Sequence, residues 1–258
     1  GLEYDVLESV LPPITVPAWA CSFTGLGPAE LECFDFQELD TEKHEFVPVN
    51  RRRFSSKGYW NYSRLSSALF DVPGADEPDL DGVYVGGIFD FGEVRTRPED
   101  LSEQLRDEVG SPEIIRMEDL SSESERVQEA RRIFEFRTDV LEWLVRETDE
   151  DVYFNVFRLP DTSMHHTDSK EEMIQSYQEV ARFLEHFVEE YVEKEDDVLV
   201  VSDHGAVRFE QEFHINRWLE EQGFLTRKNG GSALEKLVLK TADVGRRLGL
   251  RDLLVRMN

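Results

Sequence analysis

Val198-Leu199-Val200-Val201-Ser202-Asp203-His204-Gly205 decides how this chain is read. Four consecutive aliphatic residues with no polar residue among them describe a strand buried on both faces, as in a parallel sheet covered by helices. The run ends at a carboxylate, an imidazole and a glycine. Upstream, Val152-Tyr153-Phe154-Asn155-Val156-Phe157 repeats the pattern and runs into Arg158-Leu159-Pro160-Asp161-Thr162-Ser163-Met164-His165-His166; an earlier β-like run covers 83–89. Between these runs, apolar residues recur at helical spacing. One set is Val127, Ala130, Ile133/Phe134, Val140/Leu141 and Leu144; another is Ile174, Tyr177, Ala181, Leu184, Val188 and Tyr191. Each predicts an amphipathic helix whose acidic residues face water. A short helix is expected over 216–222, closed by Gly223, and a further one over 234–255, broken near Gly245 and Gly249. Strands alternating with helices predict an α/β fold with a mainly parallel sheet sandwiched by helices.

In such sheets, sites form where loops leave the carboxyl ends of strands. Here two strand ends each deliver an Asp and a His. Together these suit a borderline divalent cation such as Zn²⁺ or Mn²⁺. Asp161 and His165 stand at i,i+4 and converge if that loop turns helically. Adjacent Asp203 and His204 converge only in a tight turn, which Gly205 permits. Singly, such a pair reads more readily as a capping loop than as a metal site; two pairs on consecutive strands tip the reading toward metal. His166 is a poorer alternative to His165. His44, His186 and His214 lack a comparable setting.

Near the start stands Leu11-Pro12-Pro13-Ile14-Thr15-Val16-Pro17-Ala18-Trp19-Ala20-Cys21-Ser22-Phe23-Thr24-Gly25. Thr15 is expected as a helix N-cap, with Pro17 in the first turn and Gly25 as the stop. It is either a plain cap or a hydroxyl placed where helix N–H groups attract an anion. A metal-bound threonine oxygen can lose its proton and attack phosphorus.

The 258 residues hold 55 Asp+Glu against 29 Lys+Arg, a net charge of −26. That balance argues against nucleic-acid backbones and anionic membranes as partners. The cations are 7 Lys and 22 Arg. Dense carboxylate with scarce lysine points to a high-salt, cytoplasmic setting. No apolar run approaches the ~20 residues that span a bilayer, and no signal pattern opens the chain. The first residue is not Met, so processing or truncation is expected. Cys21 and Cys33 are expected as reduced thiols. Arg51-Arg52-Arg53 reads as a surface basic cluster more readily than as an anion site.

Taken together, these pieces resemble the nucleotide pyrophosphatase/phosphodiesterase branch of the alkaline phosphatase superfamily. Pro12 to Trp19, followed by Thr24-Gly25-Leu26-Gly27-Pro28, looks like its nucleophile segment. Leu159-Pro160-Asp161 with His165 is similar to its Pro-Asp-x3-His metal motif, and Val200 to Gly205 to its Ser-Asp-His-Gly motif. Ile215-Asn216-Arg217-Trp218-Leu219 and Gly223-Phe224-Leu225 resemble the segment that follows. The resemblance implies an alkaline phosphatase-like core with an inserted cap. It divides the chain into a core segment 1–36, an insertion 37–150, a core segment 151–225 and a helical segment 226–258. It implies a hydrolase with two divalent metal ions, Thr15 as nucleophile and metal ligand with Asp203 and His204, and Asp161 with His165 on the second ion. The implied partner is a small phosphoester.

Three family features are not matched. The strand ending in Asp-Gly before the nucleophile has no counterpart, since only fourteen residues precede Thr15 and Asp5 lacks that setting. No His follows His214, where the family draws another ligand, and Leu31-Glu32 stands in place of His-Gly. The second metal keeps two ligands, short of the three usual for catalytic zinc. A fragment or a degenerate homologue is therefore expected, binding metal weakly and turning over slowly or not at all. The alternatives are a non-catalytic binding module, or another superfamily chemistry: phosphomonoester or sulfate ester hydrolysis, or phosphoryl transfer.

Overall fold

The computed structural model describes residues 3–49, 51–86, 94–111 and 115–226. In chain order the elements are α1 (Thr15–Thr24), α2 (Pro28–Leu31), β1 (Gln37–Asp40), β2 (Glu45–Pro48), α3 (Arg52–Ser55), β3 (Ser67–Phe70), β4 (Gly82–Gly86), β5 (Arg95–Arg97), α4 (Leu101–Glu108), α5 (Glu123–Glu147), β6 (Val152–Asn155), α6 (Leu159–His166), α7 (Lys170–Tyr191) and α8 (Ile215–Glu221). The chain divides into two units, Gly1–Val207 and Arg208–Asn258; α8 belongs to the second, where Gly223 ends it in the left-handed region.

The first unit is built on a four-stranded sheet in the order β5-β4-β3-β6. β3 runs parallel to both β4 and β6, with Ser67 opposite Gly82 and Val152; only β5 is antiparallel. Alternation along the strands makes the sandwich. Ala68, Phe70, Val83 and Val85 point to a layer holding Leu105 of α4 and Val140, Leu141 and Leu144 of α5. Leu69 and Tyr84 point to the other face, against Val16, Trp19, Ala20 and Phe23 of α1. The fold is thus the helix-covered, largely parallel α/β sheet that the alternating pattern implies. Gly82 is required at its place: it holds φ +124°, and a Cβ there would lie 2.4 Å from the Ser67 carbonyl oxygen.

α5 begins with a reciprocal cap. The Glu125 N–H donates to Ser122 Oγ, and the Ser122 N–H to the Glu125 carboxylate. It buries two charged residues, Glu129 and, in the apolar stripe, Arg137, which is 2% exposed. Nη1 donates to Asp71, directly after β3, and Nη2 donates to the Val156 carbonyl, directly after β6. The Phe70 ring lies 5.3 Å beneath the guanidinium. One arginine therefore ties two parallel strand ends to the helix above them.

Several expectations are corrected. Residues 198–201 are not a buried strand: they join no ladder among the described residues and are between 44% and 84% exposed. Aliphatic composition states that a run favours burial on two faces; it does not supply the neighbouring strand whose ladder would hold it. The strand expected over 152–157 ends at Asn155, because the Val156 carbonyl turns to Arg137. The strand β3, buried along its whole length, is too short to stand out by pattern. The first expected strand is β4 as far as Gly86; its remainder, like the helix expected over 234–255, lies outside the described residues.

The helix expected around Ile174 forms, but on a different face. Val180, Phe183 and Phe187 pack inward, while Ile174, Tyr177 and Val188 are exposed. The ring of Phe183 meets Phe134 and Phe157 edge-on at 6.1 and 5.3 Å. Two apolar stripes compete on α7, and the one carrying two phenylalanine rings packs, partly buried, against the core.

Candidate active site

α1 holds Thr15 rigidly because the residues behind it are core. Val16, Trp19, Ala20 and Phe23 are buried, and Trp19 stands edge-on to Phe154 of β6 at 5.9 Å. Thr15 is not the N-cap. Ile14 occupies that position in extended geometry, and Thr15 is the first helical residue. Its hydroxyl is therefore not spent on the helix's own N–H groups. Oγ1 lies 3.2 Å from Nε2 of His204, 189 residues away in sequence.

The His204 ring is oriented by its other nitrogen. Nδ1 lies 2.9 Å from the Gly205 carbonyl oxygen. A carbonyl only accepts, so Nδ1 carries the proton, and in the neutral ring Nε2 presents a lone pair. That lone pair meets Thr15 Oγ1, and Asp203 Oδ2 lies 3.3 Å from the same atom. The loop is pinned from both sides: Ser9 Oγ donates to the Asp203 carbonyl, and Ser202 Oγ to the His204 carbonyl. Gly205 is not among the residues in the left-handed region, so the tight pairing does not draw on glycine's special freedom.

The second pair sits on α6, where Pro160 in the first turn and a helical backbone place Asp161 and His165 on one face. Asp161 Oδ1 and His165 Nε2 are 3.4 Å apart, with the imidazole 72% exposed. The two pairs feel one another. Burial pushes the Asp203 carboxyl above its ordinary range, the neighbouring His204 opposes this, and the Asp161 carboxylate adds to the upward push. Burial, helped by the charges of Arg126 and His165, holds His166 below the usual imidazole range.

The donor chemistry of Thr15, Asp203 and His204 fits one divalent cation. A hydroxyl oxygen, a carboxylate oxygen and an imidazole lone pair converge, and the strained ionisation of Asp203 is what a cation would relieve. Asp161 and His165 offer one oxygen and one nitrogen, fewer than a closed site takes. Among the described residues, no three His, Cys, Asp or Glu side chains gather as a metal site by themselves, so the first trio depends on its threonine.

Other candidates have partners of their own. His186 pairs with Glu142 at 3.5 Å and His214 with Glu212 at 3.6 Å, both with exposed imidazoles. Arg53 is held by Glu38 at 2.8 Å and donates to the Glu32 carbonyl. Cys21 and Cys33 are free thiols, and burial pushes Cys33 up to about 11. Sequence reasoning missed Ser9, Asp71 and Arg137. Only Arg137 carried a signal: a charge in the apolar stripe of α5.

No helix among the described residues is long and apolar enough to cross a membrane. No curated protein matches the chain. The family model for type I phosphodiesterase/nucleotide pyrophosphatase matches residues 1–248, so the chain belongs to the type I phosphodiesterase/nucleotide pyrophosphatase family.

Proposed function

We propose that this chain is a metal-dependent phosphodiester or pyrophosphate hydrolase that uses Thr15 as its nucleophile. The observation that carries the reading is the meeting of Thr15 Oγ1, His204 Nε2 and Asp203 Oδ2 within 3.3 Å of the shared nitrogen, from opposite ends of the chain. Thr15, Asp203 and His204 would hold one divalent ion, Zn²⁺ or Mn²⁺, and Asp161 with His165 a second. Bound ions would neutralise phosphoryl oxygens and lower the pKa of the threonine hydroxyl.

The chain's own residues do the rest. α1 presents Oγ1 at a helix N-terminus, where N–H groups favour a phosphoryl oxygen. His204 Nε2, 3.2 Å from Oγ1, would hold the ion through its one lone pair, and so positions the hydroxyl rather than taking its proton. The Gly205 carbonyl keeps the ring in that tautomer. Attack by Oγ1 on phosphorus forms one P–O bond and breaks another, leaving a phosphothreonine that water hydrolyses. The partner is a small phosphoester.

A second reading, a binding homologue without turnover, draws support from the exposure and two-ligand poverty of the Asp161–His165 pair. Calorimetry with Mn²⁺ and Zn²⁺, paired with turnover of bis-p-nitrophenyl phosphate, separates the two. One stronger and one weaker metal site, with slow hydrolysis lost in Thr15→Ala, supports the hydrolase. Metal binding without Thr15-dependent turnover supports the binding homologue. Hydrolysis that survives Thr15→Ala overturns the nucleophile assignment.

A further inference from the structure

The apolar stripe that α7 turns outward has a period of its own. Ile174, Tyr177, Ala181, Leu184, Val188 and Tyr191 are spaced alternately by three and four residues. Ile174, Tyr177 and Val188 are between 41% and 55% exposed; Ala181 is exposed, and Leu184 and Tyr191 are half-buried. Such alternation, about 3.5 residues on average, is the seam by which one helix lies along another. On the inward face of α7 the same spacing does meet helices: Phe183 packs on Phe134 of α5, and Ser176 bonds Ser163 of α6. The outward seam calls for a helix as well.

Size and charge say which helix fits. Laid antiparallel on a second copy of itself, the seam sets Ile174 on the partner's Tyr191, Tyr177 on the partner's Val188 and Ala181 on the partner's Leu184. Every layer then joins a larger side chain to a smaller one. A parallel pairing sets Tyr177 on Tyr177 and Ala181 on Ala181, crowding one layer and leaving a void in the other. The last turn of α7 carries Glu189 and Glu190 and no basic residue, the opposite of what a helix C-terminus favours. Antiparallel pairing lays those carboxylates beside Lys170 and the positive N-terminal end of the partner's α7. Parallel pairing lays them beside their own copies. We propose that the outward face of α7 docks a second copy of this chain, as an antiparallel two-helix seam about a two-fold axis. The seam is about 26 Å long at 1.5 Å per residue. Two chains of charge −26 repel one another. The dimer is therefore weak, at the low end of interface size, and strengthened by salt.

Sedimentation of the full chain at fixed concentration tests this. The weight-average mass is expected to rise from that of one chain toward that of two as KCl is taken from about 0.15 M to about 2 M. Tyr177→Lys and Val188→Glu, both at exposed positions, should each stay monomeric at high salt with unchanged far-UV circular dichroism. Mixed one to one, they should regain the dimer. Only the antiparallel register sets the introduced lysine on the introduced glutamate while the other such layer keeps its tyrosine and valine. Leu199→Glu alters the separate exposed aliphatic run and should leave the dimer intact. A chain monomeric at every salt concentration overturns the proposal, as does a mass that passes that of two chains. So does a dimer that survives Tyr177→Lys, or one that Leu199→Glu dissolves. A mixture of the two variants that stays monomeric overturns the antiparallel register.

Discussion

Asp203 shows how a single residue can be placed at a cost to the fold. Its carboxyl is largely buried, and burial with the nearby Asp161 carboxylate raises its pKa. Below the ordinary aspartate range, near 3.9, both folded and unfolded chains hold the proton and the group makes no difference. As pH rises, the unfolded chain ionises first, so stability falls until the raised folded value is passed and then levels off. Asp203→Asn removes that penalty. It should raise the thermal midpoint of the metal-free chain at pH 7, by an amount that shrinks to zero at low pH, and should remove the stronger metal site. A lowered midpoint at pH 7 in Asp203→Asn would contradict the assignment of burial as the dominant cause.

At the scale of elements, Arg137 decides how α5 meets the sheet. It lies at a helix position where the spacing demands an apolar side chain, yet it satisfies a carboxylate and a carbonyl at two strand ends. Arg137→Ala removes the guanidinium that pairs with the buried Asp71 carboxylate and the donor that satisfies the Val156 carbonyl. The expected loss is about 3–5 kcal/mol, read from urea unfolding. A loss under about 1 kcal/mol would mean that water reaches Asp71 and that the clamp is not closed. The same residue shows why the strand over 152–157 is shorter than its composition suggests. Val156 and Phe157 are good strand residues, but a guanidinium takes the carbonyl that a ladder would use. α7 makes a related point: periodicity revealed the helix, while competition between two apolar stripes, settled by aromatic packing, chose the face it packs inward.

For the whole molecule the dominant fact is a net charge of −26 on 258 residues. Self-repulsion of that size opposes compaction and is screened within about 10 Å at 0.1 M salt and about 3 Å at 1 M. The thermal midpoint should therefore rise steadily as KCl is taken from about 0.1 M to 1 M. Scanning fluorimetry over that series checks it, and a flat response would remove the high-salt reading of the Arg-for-Lys composition.

Helix positions, the α/β class and the Asp161–His165 spacing were legible in the chain, because each is a local pattern, a period or a spacing of four; Thr15 was expected as a cap, and Ile14 holds that position instead. Asp161 and His165 meet because i and i+4 share a helix face, and nothing beyond residues 159–166 is needed for that. What tertiary structure decided is long-range. Thr15 reaches His204 because sheet and helices fold 189 residues of chain back on themselves; Ser9 pins the Asp203 loop; the aliphatic 198–201 run finds no ladder. These depend on which surfaces meet, and a residue's own chemistry states what it needs without naming the neighbour that will supply it.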